Sequence, residues 1–110
     1  IGAFRFYPGQ MANDAHIGPE QAVQVFSRLG ATQAIPIHWG TFRLSNEAYD
    51  TPPRMLEIYA RCAGLNGEAF RPRRIGAQMD VVAAPLPAVA PNAKALADCK
   101  PGSVALNALK

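Results

Sequence analysis

The residues with the most chemical reach in this 110-residue sequence are its two histidines, His16 and His38. His38 closes the apolar run Ile35-Pro36-Ile37, directly ahead of the Gly-containing loop Trp39-Gly40-Thr41-Phe42. A strand ending there carries the imidazole to its carboxyl end, where ligand sites of α/β proteins gather. A neutral imidazole on a rigid strand suits zinc, and Gly40 allows close backbone approach. On its residues alone, His38 reads more readily as a packed or hydrogen-bonded strand-end histidine. His16 stands three residues before Pro19, near a helix start whose unpaired amides favour an anion. Its plainer reading is a loop histidine in solvent.

Two histidines do not make a metal centre. Structural zinc takes four ligands and catalytic zinc three plus water. The chain offers two His, two Cys and eight acids, with no H-x-H, H-E-x-x-H or paired-Cys spacing. Nucleophiles are no better placed, because Ser27, Ser45 and Ser103 lack a G-x-S-x-G elbow. Cys62 falls within an expected helix and reads as a small packing residue. A bridge to Cys99 is compatible with the sequence without being specified by it. The Arg71-Pro72-Arg73-Arg74 run could meet phosphate or acidic lipid, but reads first as a solvated surface cluster.

The elements that must hold these residues follow an α/β order. Residues 1–7 are apolar and aromatic around Arg5 and read as a short buried strand. Pro8-Gly9 then signals a turn, with a loop running to His16. Gly18-Pro19-Glu20 opens a helix, since Pro suits the first helical position and the acid faces the positive end of the dipole. Ala22, Val23, Phe26 and Leu29 continue at helical spacing, and Gly30 closes the element, predicting a helix over 19–29. Residues 33–38 form the next expected strand, kept short by Pro36. Pro52-Pro53 opens a second helix, capped by Asp50 or Thr51, with Met55, Leu56, Tyr59 and Ala60 on its buried face and Gly64 at its end. Residues 74–83 complete the pattern as a strand, with Ile75, Ala77, Met79 and Val81 on one face. From residue 84, Pro85, Pro87, Pro91 and Pro101 break regular structure and predict an Ala/Pro-rich tail, extended or packed across its surroundings. Residues 93–98 within it allow one short helix.

Composition narrows the function classes. Eleven Lys+Arg against eight Asp+Glu give a formal charge of +3, an excess too small and too dispersed for a nucleic-acid footprint. The longest apolar stretch, residues 81–86, is far short of the ~20 residues that cross a bilayer. No basic start followed by a long apolar block reads as a signal peptide. Three strands and two helices leave a sheet face uncovered. Together with an apolar start lacking Met, this leads to the expectation that the chain is a piece of a larger protein: residues 1–83 as the C-terminal part of a domain, 84–110 as its tail.

One combination is distinctive. The segments His16-Ile17-Gly18-Pro19-Glu20-Gln21-Ala22-Val23, Leu29-Gly30-Ala31 and Ile35-Pro36-Ile37-His38-Trp39-Gly40-Thr41-Phe42 resemble the C-terminal part of metallo-β-lactamase-fold hydrolases. The likeness is to the branch of N-acylphosphatidylethanolamine-hydrolysing phospholipases D. An acid-bearing linker with Glu47 and Asp50, then Pro52-Pro53, extends it, so that it covers roughly residues 1–65. The resemblance implies an αββα sandwich with two zinc ions, which activate a water and polarise a phosphodiester or ester oxygen. By that likeness His38 is a metal ligand, and His16 contacts substrate or supports catalysis at the mouth of the site. Trp39 and Phe42 either wall the pocket or pack in the core.

The likeness has gaps. The family's H-x-H-x-D-H motif, a further His and a bridging Asp are absent from these residues, and the loop from Phe4 to His16 departs from the family form. The implied partners are therefore the upstream half of the domain, in the same or another chain, and a small-molecule or lipid-like substrate; self-association stays open. The implied setting is cytoplasmic or membrane-peripheral in a bacterial-type protein. Against this stands a second expectation, a non-catalytic interaction module or inactive fragment that docks through residues 71–74 and the tail.

Overall fold

The computed structural model describes residues 16–42, 47–90 and 92–109. The expected strand over residues 1–7 and its following loop lie outside them. Four helices follow in order: α1 (Pro19–Leu29), α2 (Thr51–Cys62), α3 (Ala93–Asp98) and α4 (Val104–Asn107).

The first helix forms where its end signals put it. Gly18 stands at the N-cap and Pro19 at the first helical position, where the missing N–H costs no hydrogen bond. The Gly18 N–H donates to Gln21 Oε1 at 3.0 Å, which satisfies a donor that the first turn leaves free. At the other end Gly30 adopts φ 61, and its N–H reaches back to the carbonyls of Phe26 and Ser27. That left-handed closure is cheap for glycine alone. Pro19, Ala22, Val23 and Phe26 are buried. Leu29 shares their spacing but is 76% exposed, because the helix ends before any neighbour reaches it.

The second helix is buried on two sides. Leu56 and Ala60 join Ala22, Val23, Phe26, Ala69 and Phe70 in the principal core, with Tyr59 packed at its edge. The rings of Phe26 and Phe70 stack with centroids 5.3 Å apart, an arrangement that adds about 1 kcal/mol to the area they bury. Around the helix, Ile58 meets Leu106 and Leu109 in a second cluster, flanked by Met55, Cys62 and Ala105. Ile58 was not among the expected buried positions, since the wheel drawn from sequence carried one apolar face only.

Residues 92–109 supply that second cover. The α3 helix occupies the stretch that composition allowed, and the Cys62–Cys99 disulfide ties its end to α2 with Cα atoms 5.6 Å apart. Cys62 is thus half of a bridge as well as a packing residue. α4 was not foreseen, although its start signal is present: Ser103 caps it by accepting from the Leu106 N–H at 3.3 Å.

Among the described residues no β-strand forms. The expected strand at 33–38 is one parallel bridge between Ala34 and Phe70, with the Ala34 N–H donating to the Ala69 carbonyl at 2.8 Å. Pro36 then removes a donor, and His38 turns the chain away. The expected strand at 74–83 instead turns at Ile75-Gly76 and runs irregularly. Ile75 and Val81 are 63% and 79% exposed, so the face they were to share meets solvent instead of a neighbouring layer. A strand exists only by pairing, and no described segment pairs with this one as a ladder. The segment is tied down at two points: the Val82 N–H donates to Gln33 Oε1, and the Val89 N–H to the Gly64 carbonyl, each at 2.8 Å.

Leu56 is fully buried at the centre of the principal core. Leu56→Ala should lower unfolding stability by about 2–5 kcal/mol. Leu29→Ala, at the exposed end of α1, should stay within about 0.5 kcal/mol of the parent. Chemical denaturation of both variants checks the contrast.

Candidate functional site

His38 lies on the loop that leaves the Ala34 bridge, and its backbone is unusual. It adopts φ 62 and has no glycine-like freedom to do so; no other non-glycine described residue has positive φ. Histidine is among the side chains that enter this region more often than most, yet such a conformation persists only where its surroundings impose it. Those surroundings are visible. Trp39 is half-buried, and its indole Nε1 donates to the Pro36 carbonyl at 3.2 Å, closing a turn around His38. Gly40 follows at φ 72. A Cβ there would sit 3.6 Å from Ile75 Cδ1, ordinary contact, so backbone angle and not space demands glycine. The turn leaves the imidazole exposed.

The four residues singled out from sequence fall on two segments. His38, Trp39 and Phe42 share the loop, while His16 is half-buried on the approach to α1. Phe42 is 76% exposed. Core packing, one of its two readings, does not hold here. Trp39 does have a packing role, through its bond to Pro36.

The start of α1 is fixed by a contact that sequence did not announce. The Tyr59 hydroxyl on α2 hydrogen-bonds the Glu20 carboxylate in the first turn of α1. Burial first, then the charge and hydrogen bond of Glu20, push the Tyr59 hydroxyl above its ordinary 10.0. The pair anchors the helix whose N-terminal approach carries His16. Periodicity placed Tyr59 on the buried face, and Glu20 at the dipole end, but nothing in either pattern joined them.

The basic run is partly neutralised within itself. Glu68 accepts from Arg71 at 2.6 Å and from Arg73 at 2.7 Å. The Arg71 hydrogen bond foremost, with the charge of both guanidiniums, holds the Glu68 carboxyl below its usual range. Arg74 is exposed beyond the clamp.

As a metal centre the described residues do not suffice. Among them no group of three His, Cys, Asp or Glu side chains converges, and the two thiols are consumed in the disulfide. What fits a zinc ion is one exposed imidazole, a single donor where three or four are needed. No catalytic step through a metal is derived from these residues alone.

The chain is 33% identical over 57 residues to the mitochondrial N-acyl-phosphatidylethanolamine-hydrolyzing phospholipase D of Saccharomyces cerevisiae, covering 52% of this chain and 12% of that protein. It is 37% identical over 54 residues to N-acyl-phosphatidylethanolamine-hydrolyzing phospholipase D 1 of Caenorhabditis elegans, covering 49% and 15%. These matches support a link to that phospholipase family. They reach about half of the chain, which itself spans 12% and 15% of the two relatives' lengths. No family model and no solved structure matches. The relatives come from a yeast and a nematode, so the expected bacterial-type setting finds no support in them, and the mitochondrial description belongs to the yeast enzyme. Among the described residues no helix is long and apolar enough to cross a membrane.

A raised tyrosine pKa has a fixed sign in stability. The neutral hydroxyl is favoured by the fold, so its contribution is complete below the unfolded value of 10.0 and is lost as pH rises through the higher folded value. Denaturation midpoints measured from pH 8 to pH 11 should therefore fall at the alkaline end, and Tyr59→Phe should flatten that part of the fall.

Proposed function

We propose that this chain is the C-terminal portion of a metal-dependent hydrolase that cleaves phosphodiester or ester bonds with water, and that His38 is one of its metal ligands. The reading takes the fold to be part of an αββα sandwich of the metallo-β-lactamase type, with a two-zinc centre completed by residues of the upstream half, in the same or another chain. The similarity to two phospholipases D supports the reaction class. The observation that carries the residue assignment is His38 itself, exposed and held at φ 62 by a turn that Trp39 closes. A side chain serving only the local fold has no need of that conformation, which glycine would adopt at less cost.

The surroundings suit a site at the seam of two layers. Ile35, Ile37, Phe42, Ile75 and Val81 are each more than half exposed. The loop and the 75–82 segment run side by side, with Ile75 beside Gly40 and the Gln33–Val82 bond joining them. In the proposed sandwich the upstream layer covers this apolar surface and brings its ligands to His38. Phe42 and Trp39 then wall the pocket, and His16 donates a hydrogen bond to an anionic phosphate or leaving group. The substrate class is a small or lipid-like phosphodiester or ester, in keeping with a membrane-peripheral setting. The alternative, docking through residues 71–74, is disfavoured because Glu68 already engages Arg71 and Arg73.

Two substitutions at one position test the assignment in the full protein. His38→Ala and His38→Gly should each lower bound zinc, read by atomic emission, and reduce hydrolysis by at least about a hundredfold, as loss of a metal-site residue does. His38→Gly should at the same time leave unfolding stability within about 1 kcal/mol of the parent, since glycine relieves the left-handed backbone. Unchanged zinc and turnover in a folded His38→Gly protein would overturn the assignment.

A further inference from the structure

We infer that the Cys62–Cys99 disulfide is a redox clasp, which holds residues 93–109 over the outer face of α2 and releases them as a unit when it is reduced. The inference is independent of the hydrolase reading.

Three observations carry it. The bridge joins positions 37 residues apart, the last residue of α2 and the residue after α3. Both cysteines are partly exposed, so a dithiol has access to them. Beyond the bridge, among the described residues, Leu106 and Leu109 are the buried apolar side chains that the C-terminal segment sets against Ile58 of α2. Two of the segment's side-chain hydrogen bonds turn inward. Ser103 donates to the Asp98 carbonyl at 2.9 Å and Asn107 to the Gly102 carbonyl at 2.8 Å, so these bonds shape the α3–α4 unit without tying it to the core. The preceding chain is pinned at Val89 to Gly64. Helices of six and four residues are too short to persist without packing. By contrast α1 and the inner face of α2 form a core that the bridge does not enter.

The switching step is ordinary thiol–disulfide exchange. A thiolate of an external dithiol attacks one Sγ, the Sγ–Sγ bond breaks, and the departing cysteine takes up a proton. The second thiol of the reductant resolves the mixed disulfide. The products are two cysteine thiols and one oxidised dithiol, with two electrons transferred. Closing a loop of this length biases against the open chain by roughly several hundredfold, and reduction removes that bias. Release uncovers Met55, Ile58 and Cys62 on α2.

Hydrogen exchange on the intact protein, oxidised and then reduced with dithiothreitol, tests this. Amides of residues 93–109 should exchange at least tenfold faster after reduction, while those of 19–29 and 51–62 keep their rates. A Cys62→Ser/Cys99→Ser variant should behave as the reduced protein does; if it does not fold, the reduced parent carries the measurement. No acceleration in 93–109 would overturn the inference. Equal acceleration in α1 and α2 would do the same, because the bridge would then hold the whole fold. So would alkylation of both cysteines in protein that has not been reduced.

Discussion

The described fold is organised around α2, which is covered on two faces and open to solvent along Arg54, Glu57 and Arg61. Twelve residues must serve two apolar clusters at once, Leu56 and Ala60 turned to α1 and Phe70, Ile58 turned to Leu106 and Leu109. A helix that short gains little from its own hydrogen bonds and depends on burial of its faces. Each cover is supplied by a different stretch of chain, and each is fastened differently. The α1 side is fastened by a stacked aromatic pair and the Tyr59–Glu20 bond. The tail side is fastened by two leucines and a disulfide. That asymmetry separates a part of the molecule whose integrity is packing from a part whose attachment is covalent.

The same division explains what was legible beforehand. α1 was readable to the residue because its signals are local: Pro19 at its start, Gly30 at its end, and four apolar side chains between. The start and end of α2 were readable for the same reason. Its second face was not, since Ile58 looks like surplus apolar surface until a partner some fifty residues away is known. The tail shows the converse. Pro85, Pro87, Pro91 and Pro101 made residues 84–110 read as a tail that allowed one short helix at 93–98, and the stretches between prolines were long enough for both α3 and α4. Cysteine spacing permitted their anchor without naming it. The expected strands at 33–38 and 74–83 needed neighbours on a sheet, and pairing is information that a strand's own residues do not contain.

The conformation of the candidate site was opaque in the sequence. Resemblance singled out His38, Trp39 and Phe42, but placed them at the end of a strand. The structure has His38 in a left-handed turn, closed by the indole of the next residue and followed by a second left-handed residue, Gly40. No composition or periodicity forecasts a histidine at φ 62, because the local preference runs against it. A local rule broken at one residue, with the compensation beside it, is the observation on which the proposed role of His38 rests.

Strain and exposure coincide along one edge of this structure. Most apolar side chains of α1 and α2 find partners within the chain, Val25 and Leu29 excepted, whereas Ile35, Ile37, Phe42, Ile75, Val81 and Val82 are exposed. Isolated exposed apolar residues mean little, but a contiguous set marks an interaction surface. The two stretches of this set lie side by side, since Gly40 faces the Ile75 side chain and Gln33 holds Val82. His38 stands within it, a donor for which the described residues provide no companions as metal ligands. On the reading proposed above, a single covering layer would account for both features, burying this apolar rim and bringing further ligands to His38.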